Sequence, residues 1–106
     1  MTNSITAAQL DGLLRKNDRP VVIAFSSSKF ISCRLFDPVF MSVADTLGDK
    51  AYFALFDTDS DDGRALSARY GVQLLPTVLV CSGNMEMRRV TGMMNAQALT
   101  ALVEGL

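Results

Sequence analysis

The hydrophobic residues of this chain fall into short continuous runs that are typical of buried strands. Val21–Phe25 is apolar without polar alternation, which indicates a central strand buried on both faces. Ala51–Phe56 and Thr77–Ser82 are further strand-like runs. Met85–Thr91 follows the last of these after a Gly-Asn turn, so we expect it to return as an antiparallel strand.

The segments around these strands have apolar residues at helical spacing. Thr6-Ala7-Ala8-Gln9 fits a capping box and predicts a first helix over about residues 6–16. A second helix is predicted over about residues 31–47, where an amphipathic stripe is formed by Phe36, Phe40, Val43 and Leu47. The polar stretch Asp57–Asp62 can cap a third helix over about residues 62–70, and Asn95 can cap a last one.

Together the runs predict an α/β fold with a mixed central sheet and helices on both faces. Asn3–Ile5 is a candidate short edge strand at its start. Two strand–helix–strand crossovers are expected to give parallel strand pairs, and the closing hairpin adds an antiparallel edge.

Composition narrows the class of protein. A length of 106 residues predicts a single domain over residues 1–106. Net charge is −1 without a basic stripe, which argues against nucleic acid, and no apolar run is long enough for a membrane span. The N-terminus lacks the pattern of a secretory signal, so we expect a cytoplasmic protein.

The residue types give little indication of a metal or cofactor site. Histidine is absent, and two cysteines make neither a zinc site nor a disulfide framework. The methionines lack partners for a soft-metal site, and Asp57–Asp62 lacks the bidentate glutamate of a calcium loop. We therefore expect no metal and no cofactor, and interpret Asp57–Asp62 as a solvated loop with capping residues.

A series of landmarks in fixed order resembles the thioredoxin family over nearly the whole chain. The landmarks are a strand ending at Phe25, the motif Phe30-Ile31-Ser32-Cys33 followed by Arg34, then Pro38, Tyr70-Gly71-Val72, Pro76-Thr77 and Gly92. The resemblance implies a thioredoxin-like fold and a cis bond between Leu75 and Pro76. It also implies that the backbone of the Pro76 loop helps to hold extended peptides beside Gly92.

Departures from the family pattern bear on function. The family motif is Cys-x-x-Cys, and by the resemblance Phe30 occupies the position of the attacking cysteine, while Cys33 matches the second, resolving cysteine. The family's buried aspartate and its lysine partner correspond to Ala24 and Leu55, and the tryptophan before the motif corresponds to Lys29. Because a phenyl ring cannot attack a disulfide, the resemblance implies loss of the dithiol cycle.

Two interpretations of Cys33 remain open from the sequence. It is either a reactive monothiol, forming a mixed disulfide with a partner or with glutathione, or a small buried residue that fills space. Cys81 lies in a predicted strand and is expected to pack in the core. We expect no disulfide between the two, because the strand register should carry Cys81 away from the motif.

Phe30 also allows two interpretations. With Ile31, Leu75 and Met93 it forms an apolar patch beside Pro76 and Gly92, or it folds inward and plugs the site. The first interpretation favours a binding surface and the second a closed one.

The leading hypothesis is a thioredoxin-like protein that lacks the nucleophilic cysteine. It would bind a peptide or protein partner in a chaperone or assembly role, through Phe30, Ile31, the Pro76 loop, Gly92 and Met93, as a monomer or weak dimer. The alternative is a monothiol thiol-disulfide oxidoreductase in redox homeostasis that uses Cys33 as its catalytic residue. A third hypothesis is a structural subunit of a larger assembly.

Overall fold

The computed structural model describes residues 5–105, so the candidate strand at Asn3–Ile5 falls mostly outside the described part. Within it, strands and helices alternate in the predicted order. The elements are α1 (Ala7–Lys16), β1 (Val21–Ser26), α2 (Ile31–Leu47), β2 (Tyr52–Asp57), α3 (Asp61–Arg69), β3 (Thr77–Ser82), β4 (Met85–Thr91) and α4 (Ala96–Glu104). None of the helices within residues 5–105 is both long enough and apolar enough to cross a membrane.

Side-chain caps set the starts of three helices. The Thr6 hydroxyl accepts a hydrogen bond from the Gln9 backbone N–H at 3.1 Å, and the Gln9 side chain accepts one from the Thr6 N–H at 2.8 Å. This confirms the predicted capping box. Ser60 and Asn95 cap α3 and α4 in the same way, so the polar stretch before α3 has the capping role that the sequence predicts.

The strand order of the sheet is β2-β1-β3-β4. β1 pairs in parallel with β2 and antiparallel with β3, and β3 and β4 form the predicted antiparallel hairpin. The prediction of two parallel pairs was therefore wrong for the second crossover. After α3 a seven-residue connection, residues 70–76, brings the chain back to the end of the sheet where β2 stopped, and β3 consequently runs in the opposite direction.

A separate apolar core covers each face of the sheet. On one face α2 and α4 pack over alternate strand residues, in a cluster that includes Val22, Ala24, Val78, Phe36 and Leu99. On the other face α1 and α3 pack over the intervening residues, including Ile23, Phe25, Leu79, Leu10 and Leu66. Every residue of β1 is buried, which confirms the prediction of a strand covered on both sides.

The strand register gathers several loops at one end of the sheet. Ser26 lies opposite Asp57, and Phe25 lies opposite Thr77, which itself pairs with Thr91. The turn after β1, the loop after β2, the connection before β3 and the residues after β4 therefore share this end. We call it the motif end of the sheet.

Candidate functional site

Phe30 stands at the junction of the turn and α2. Its backbone N–H donates to the carbonyl of Ser27 at 3.1 Å, and its own carbonyl accepts from the N–H of Arg34 at 3.1 Å. Phe30 is the N-cap of α2, but its side chain cannot cap the helix, and 53% of the residue is exposed. Of the two interpretations left open by the sequence, the structure has Phe30 directed outward, with Ile31 exposed beside it.

Cys33 lies in the first turn of α2, three residues beyond Phe30, and has an exposed fraction of 0%. The thiol is free. Because a reagent or a partner disulfide must reach Sγ to react, the native conformation shields this thiol from attack.

Cys81 is also free and buried, which confirms its predicted packing in the core. Burial, with a smaller contribution from the Glu86 carboxylate, raises the pKa of the Cys81 thiol to about 11. Cys81 lies opposite Val21, at the start of β1, whereas the motif follows the end of that strand. Five strand residues separate the two ends by roughly 16 Å, so the register carries Cys81 away from the motif as predicted.

The connection before β3 has the backbone geometry that the resemblance implied. The Leu75–Pro76 peptide bond is cis. Pro76 is buried, and its carbonyl accepts a hydrogen bond from the Gly92 N–H at 2.8 Å. Leu75 is half-buried and packs against the core under α1 and α3. The neighbouring Leu74 instead is 66% exposed.

Gly92 links this connection to the end of β4. Its φ of +96° lies in the region that favours glycine. A Cβ placed on Gly92 would meet no heavy atom within 4 Å, so the space in front of this backbone is open. Met93 follows it with an exposed side chain.

The motif end therefore presents four exposed apolar side chains. These are Phe30, Ile31, Leu74 and Met93, and we call them the apolar surface. The sequence had predicted three of them, but it placed Leu75 in the patch and missed Leu74. Adjacent leucines before a proline give no periodicity that tells which of them packs inward.

A cleft of about 500 Å³ adjoins the apolar surface between α2, the end of β2 and the start of α3. Serines, aspartates and three apolar residues line it: Ile5, Ser26, Ser27, Ser28, Asp37, Leu55, Phe56, Asp57, Ser60, Asp61 and Asp62. Within residues 5–105 no three metal-ligating side chains group closely enough to hold an ion. Sequence reasoning missed this cleft, because its residues come from separate segments.

Asp37 reaches into the cleft from α2. Its Oδ1 accepts a hydrogen bond from the buried hydroxyl of Ser26 at 2.7 Å. Burial raises the pKa of the Asp37 carboxyl, and the nearby charge of Asp57 raises it further, while the Ser26 hydrogen bond opposes both effects.

The turn after β1 is held by the loop after β2. The Ser27 hydroxyl donates to Asp59 Oδ2 at 2.7 Å, and Lys29 Nζ lies 3.5 Å from Asp59 Oδ1. The Ser27 hydrogen bond is the largest cause of a lowered pKa of the Asp59 carboxyl. These contacts orient the turn that presents Phe30.

Two apolar residues pair in the strands beneath the turn. Ala24 is completely buried and pairs in register with Leu55, which packs against the core under α2 and α4. A proton leaving Cys33 would find no acceptor at either position.

Comparison with known proteins identifies the family. The thioredoxin family model matches residues 1–105. The chain belongs to the thioredoxin family. Among curated proteins it is similar to chloroplastic thioredoxin Y of rice, with 27% identity over 99 residues that cover 93% of this chain and 58% of the relative. Thioredoxin-2 of Saccharomyces cerevisiae shares 26% identity over 92 residues, or 87% of this chain and 86% of the relative.

Solved structures agree on the architecture. The thioredoxin of Fasciola hepatica superposes with a TM-score of 0.83 at 26% identity and covers 99% of this chain and 98% of its own. Chloroplastic thioredoxin z gives the same TM-score of 0.83 at 20% identity. The predicted α/β thioredoxin fold is thereby confirmed. The chain spans only 58% and 55% of the length of its rice and maize chloroplastic relatives.

Proposed function

We propose that this thioredoxin-family protein binds an extended peptide or protein partner at the motif end, in a chaperone or assembly role, and does not turn over disulfides. One observation carries the proposal: Phe30 is exposed, whereas Cys33 is completely buried. By the resemblance, Phe30 occupies the position of the family's attacking cysteine.

The proposed loss of turnover follows from the chemistry of thiol–disulfide exchange. A thiolate attacks one sulfur of the substrate disulfide and releases the other as a thiolate, and a second thiol then resolves the mixed disulfide. Phe30 supplies no thiol for the first step, and Ala24 and Leu55 supply no proton acceptor for the second. The first step thus lacks its nucleophile, and the second keeps the Cys33 thiol but lacks an acceptor for its proton at these two positions.

The proposed binding role is supported by the apolar surface and the backbone beside it. Contiguous exposed apolar side chains commonly mark interaction sites, and methionine adapts to varied partners. The open space in front of Gly92, next to the Pro76 carbonyl, leaves room for an extended main chain. Phe30, Ile31 and Met93 would contact the side chains of such a partner, with Leu74 as an additional contact.

The monothiol alternative would use Cys33 with glutathione or a partner thiol. It requires a reachable Sγ, and the burial of Cys33 argues against it.

A cytoplasmic location, and a monomeric or weakly dimeric state, stay predictions from the sequence.

Reduction of insulin by dithiothreitol tests the chemical part of the proposal. The wild-type chain is expected to give the background rate, and Cys33→Ser is expected to give the same rate. Turnover well above background that Cys33→Ser abolishes would overturn the proposal in favour of the monothiol enzyme.

Selection of phage-displayed random peptides tests the binding part. Enriched peptides are expected to bind the wild-type chain and to lose about tenfold in affinity with Phe30→Ser or Leu74→Ser, since central apolar contacts dominate such interfaces. Met85→Ser is the matched control, because Met85 is 64% exposed but lies at the far end of β4. Equal losses in the control, or no enrichment at all, would overturn the proposed binding site.

A further inference from the structure

We infer that the partner segment carries a lysine or arginine beside the apolar residue that contacts Phe30, and that this cationic side chain enters the cleft between α2, β2 and α3. The inference rests on the proposed function, because it names the chemistry of the partner for the same surface. The acidic lining of the cleft, with no lysine or arginine among its described residues, is the observation that selects a cationic partner.

The cleft begins next to the apolar surface. Ser27 and Ser28 line it, and the Ser27 carbonyl accepts the Phe30 N–H at 3.1 Å. Ser28 and Ser27 lie two and three residues before Phe30 in the same turn. An extended partner with an apolar residue against Phe30 would therefore bring a neighbouring side chain near the mouth of the cleft.

The described residues that line the cleft include carboxylates but no basic side chain. Within residues 5–105 four aspartates line it, and no lysine or arginine does. Asp61 is already paired with Arg64, at 3.2 Å, but its side chain is fully exposed at the rim. Within the described residues, no lysine or arginine lies within salt-bridge distance of Asp37, Asp57 or Asp62.

The two basic residues near the turn already have acidic partners. Lys29 is 3.5 Å from Asp59, which does not line the cleft, and Arg64 donates to the Asp59 carbonyl as well as to Asp61. Burial is the main cause of the raised pKa of the half-buried Asp37 carboxyl, and repulsion from the nearby Asp57 charge raises that pKa further. A cation from outside would relieve that repulsion.

The shape of the cleft suits a long cationic side chain. Its volume of about 500 Å³ exceeds what a lysine or arginine side chain needs, and Leu55, Phe56 and Ile5 add apolar surface to its lining. A methylene stem can pack on this apolar surface while the charged head reaches Asp37 and Asp57. The hydroxyl of Ser28 is a further acceptor for its N–H groups.

A panel of synthetic peptides tests the inference. All carry a fixed central phenylalanine, and a flanking residue is lysine, arginine, norleucine or glutamate, placed in turn on each side. Lysine and arginine peptides are expected to bind about fivefold more tightly than the norleucine peptide, the upper range for a partly exposed ion pair. The double variant Asp37→Asn, Asp57→Asn should abolish that advantage. The control Asp49→Asn should keep it, because Asp49 lies beyond the far end of α2.

Other binding results would each contradict the inference. Equal binding of all peptides that still depends on Phe30, or a preference for glutamate, would overturn the inference and leave the proposed function standing. A lysine advantage that survives in the double variant would place the cation elsewhere and also overturn the inference. Absence of binding by every peptide would overturn both.

Discussion

Ala24 and Leu55 lie directly opposite each other in the parallel register of β1 and β2, and neither side chain can exchange a proton. In the family pattern that the motif resembles, these positions hold an aspartate and a lysine. Ala24 belongs to the apolar core under α2 and α4, and Leu55 packs against the same core. We therefore expect that a cysteine introduced at Phe30 alone gives little activity.

We predict that Phe30→Cys forms a disulfide with Cys33 but reduces insulin slowly. The new thiol lies at the N-cap of α2, three residues before Cys33, while the proton acceptor is still absent. Adding Ala24→Asp is expected to raise the rate by about tenfold or more, because a positioned base assists proton transfer. Thiol titration and circular dichroism check the disulfide and the fold. A full rate with Phe30→Cys alone would contradict this account.

We predict that Cys81 is alkylated only at high pH. Burial raises its thiol pKa to about 11, so in a Cys33→Ser background iodoacetamide modification should be slow at pH 8 and accelerate towards pH 11. The unfolded state loses the proton first, near pH 8.5, so this thiol's stabilising contribution is fully present below that pH. It is lost as the pH rises towards 11. Rapid modification at pH 8 in the native state would disagree with the buried position.

We predict that Asp37→Asn stabilises the fold at neutral pH. The folded-state pKa of Asp37 is raised, so this group's stabilising contribution is present below the unfolded-state pKa of about 3.9 and is lost as the pH rises through the folded-state value. Asparagine keeps an oxygen that accepts from Ser26 Oγ. Thermal unfolding should give a higher Tm for the variant at pH 7, and the gain should vanish near pH 4. A lower Tm at pH 7 would contradict the prediction.

We predict opposite effects for alanine at two helical glycines. A Cβ at Gly63, in α3, would overlap the backbone carbonyl of Asp57, whereas one at Gly12, in α1, meets nothing within 4 Å. Gly63→Ala should lower the free energy of unfolding by about 1–3 kcal/mol through overpacking. Gly12→Ala should raise it by about 0.5–1 kcal/mol, because alanine loses less backbone entropy in a helix. Urea denaturation measures both, and equal stability of the two variants would refute the close approach of α3 to β2.

Local chemistry explains why the elements could be predicted closely from sequence. The apolar stripe of α2 and the capping box at Thr6 depend on residues within one or two turns of helix, and the observed bounds follow them. The β3–β4 hairpin also depends on a short turn. The direction of a strand, in contrast, does not depend on such local patterns. β1 and β3 are both continuous apolar runs, which pack equally well in either direction, so the return path through residues 70–76 decided it.

By itself, the sequence determined the helices and strands, the identity of the motif residues and the absence of a thiol at Phe30. Only the tertiary structure decided that Phe30 points outward, that Leu74 is exposed instead of Leu75, and that Ser26, Asp37 and Asp57 share one cleft. Those outcomes depend on contacts between residues far apart in the chain, and a pattern of neighbouring residues carries no information about which side chains meet across a sheet. The sequence thus specifies which residue types occur at the motif end, and tertiary packing determines which of their side chains are exposed together.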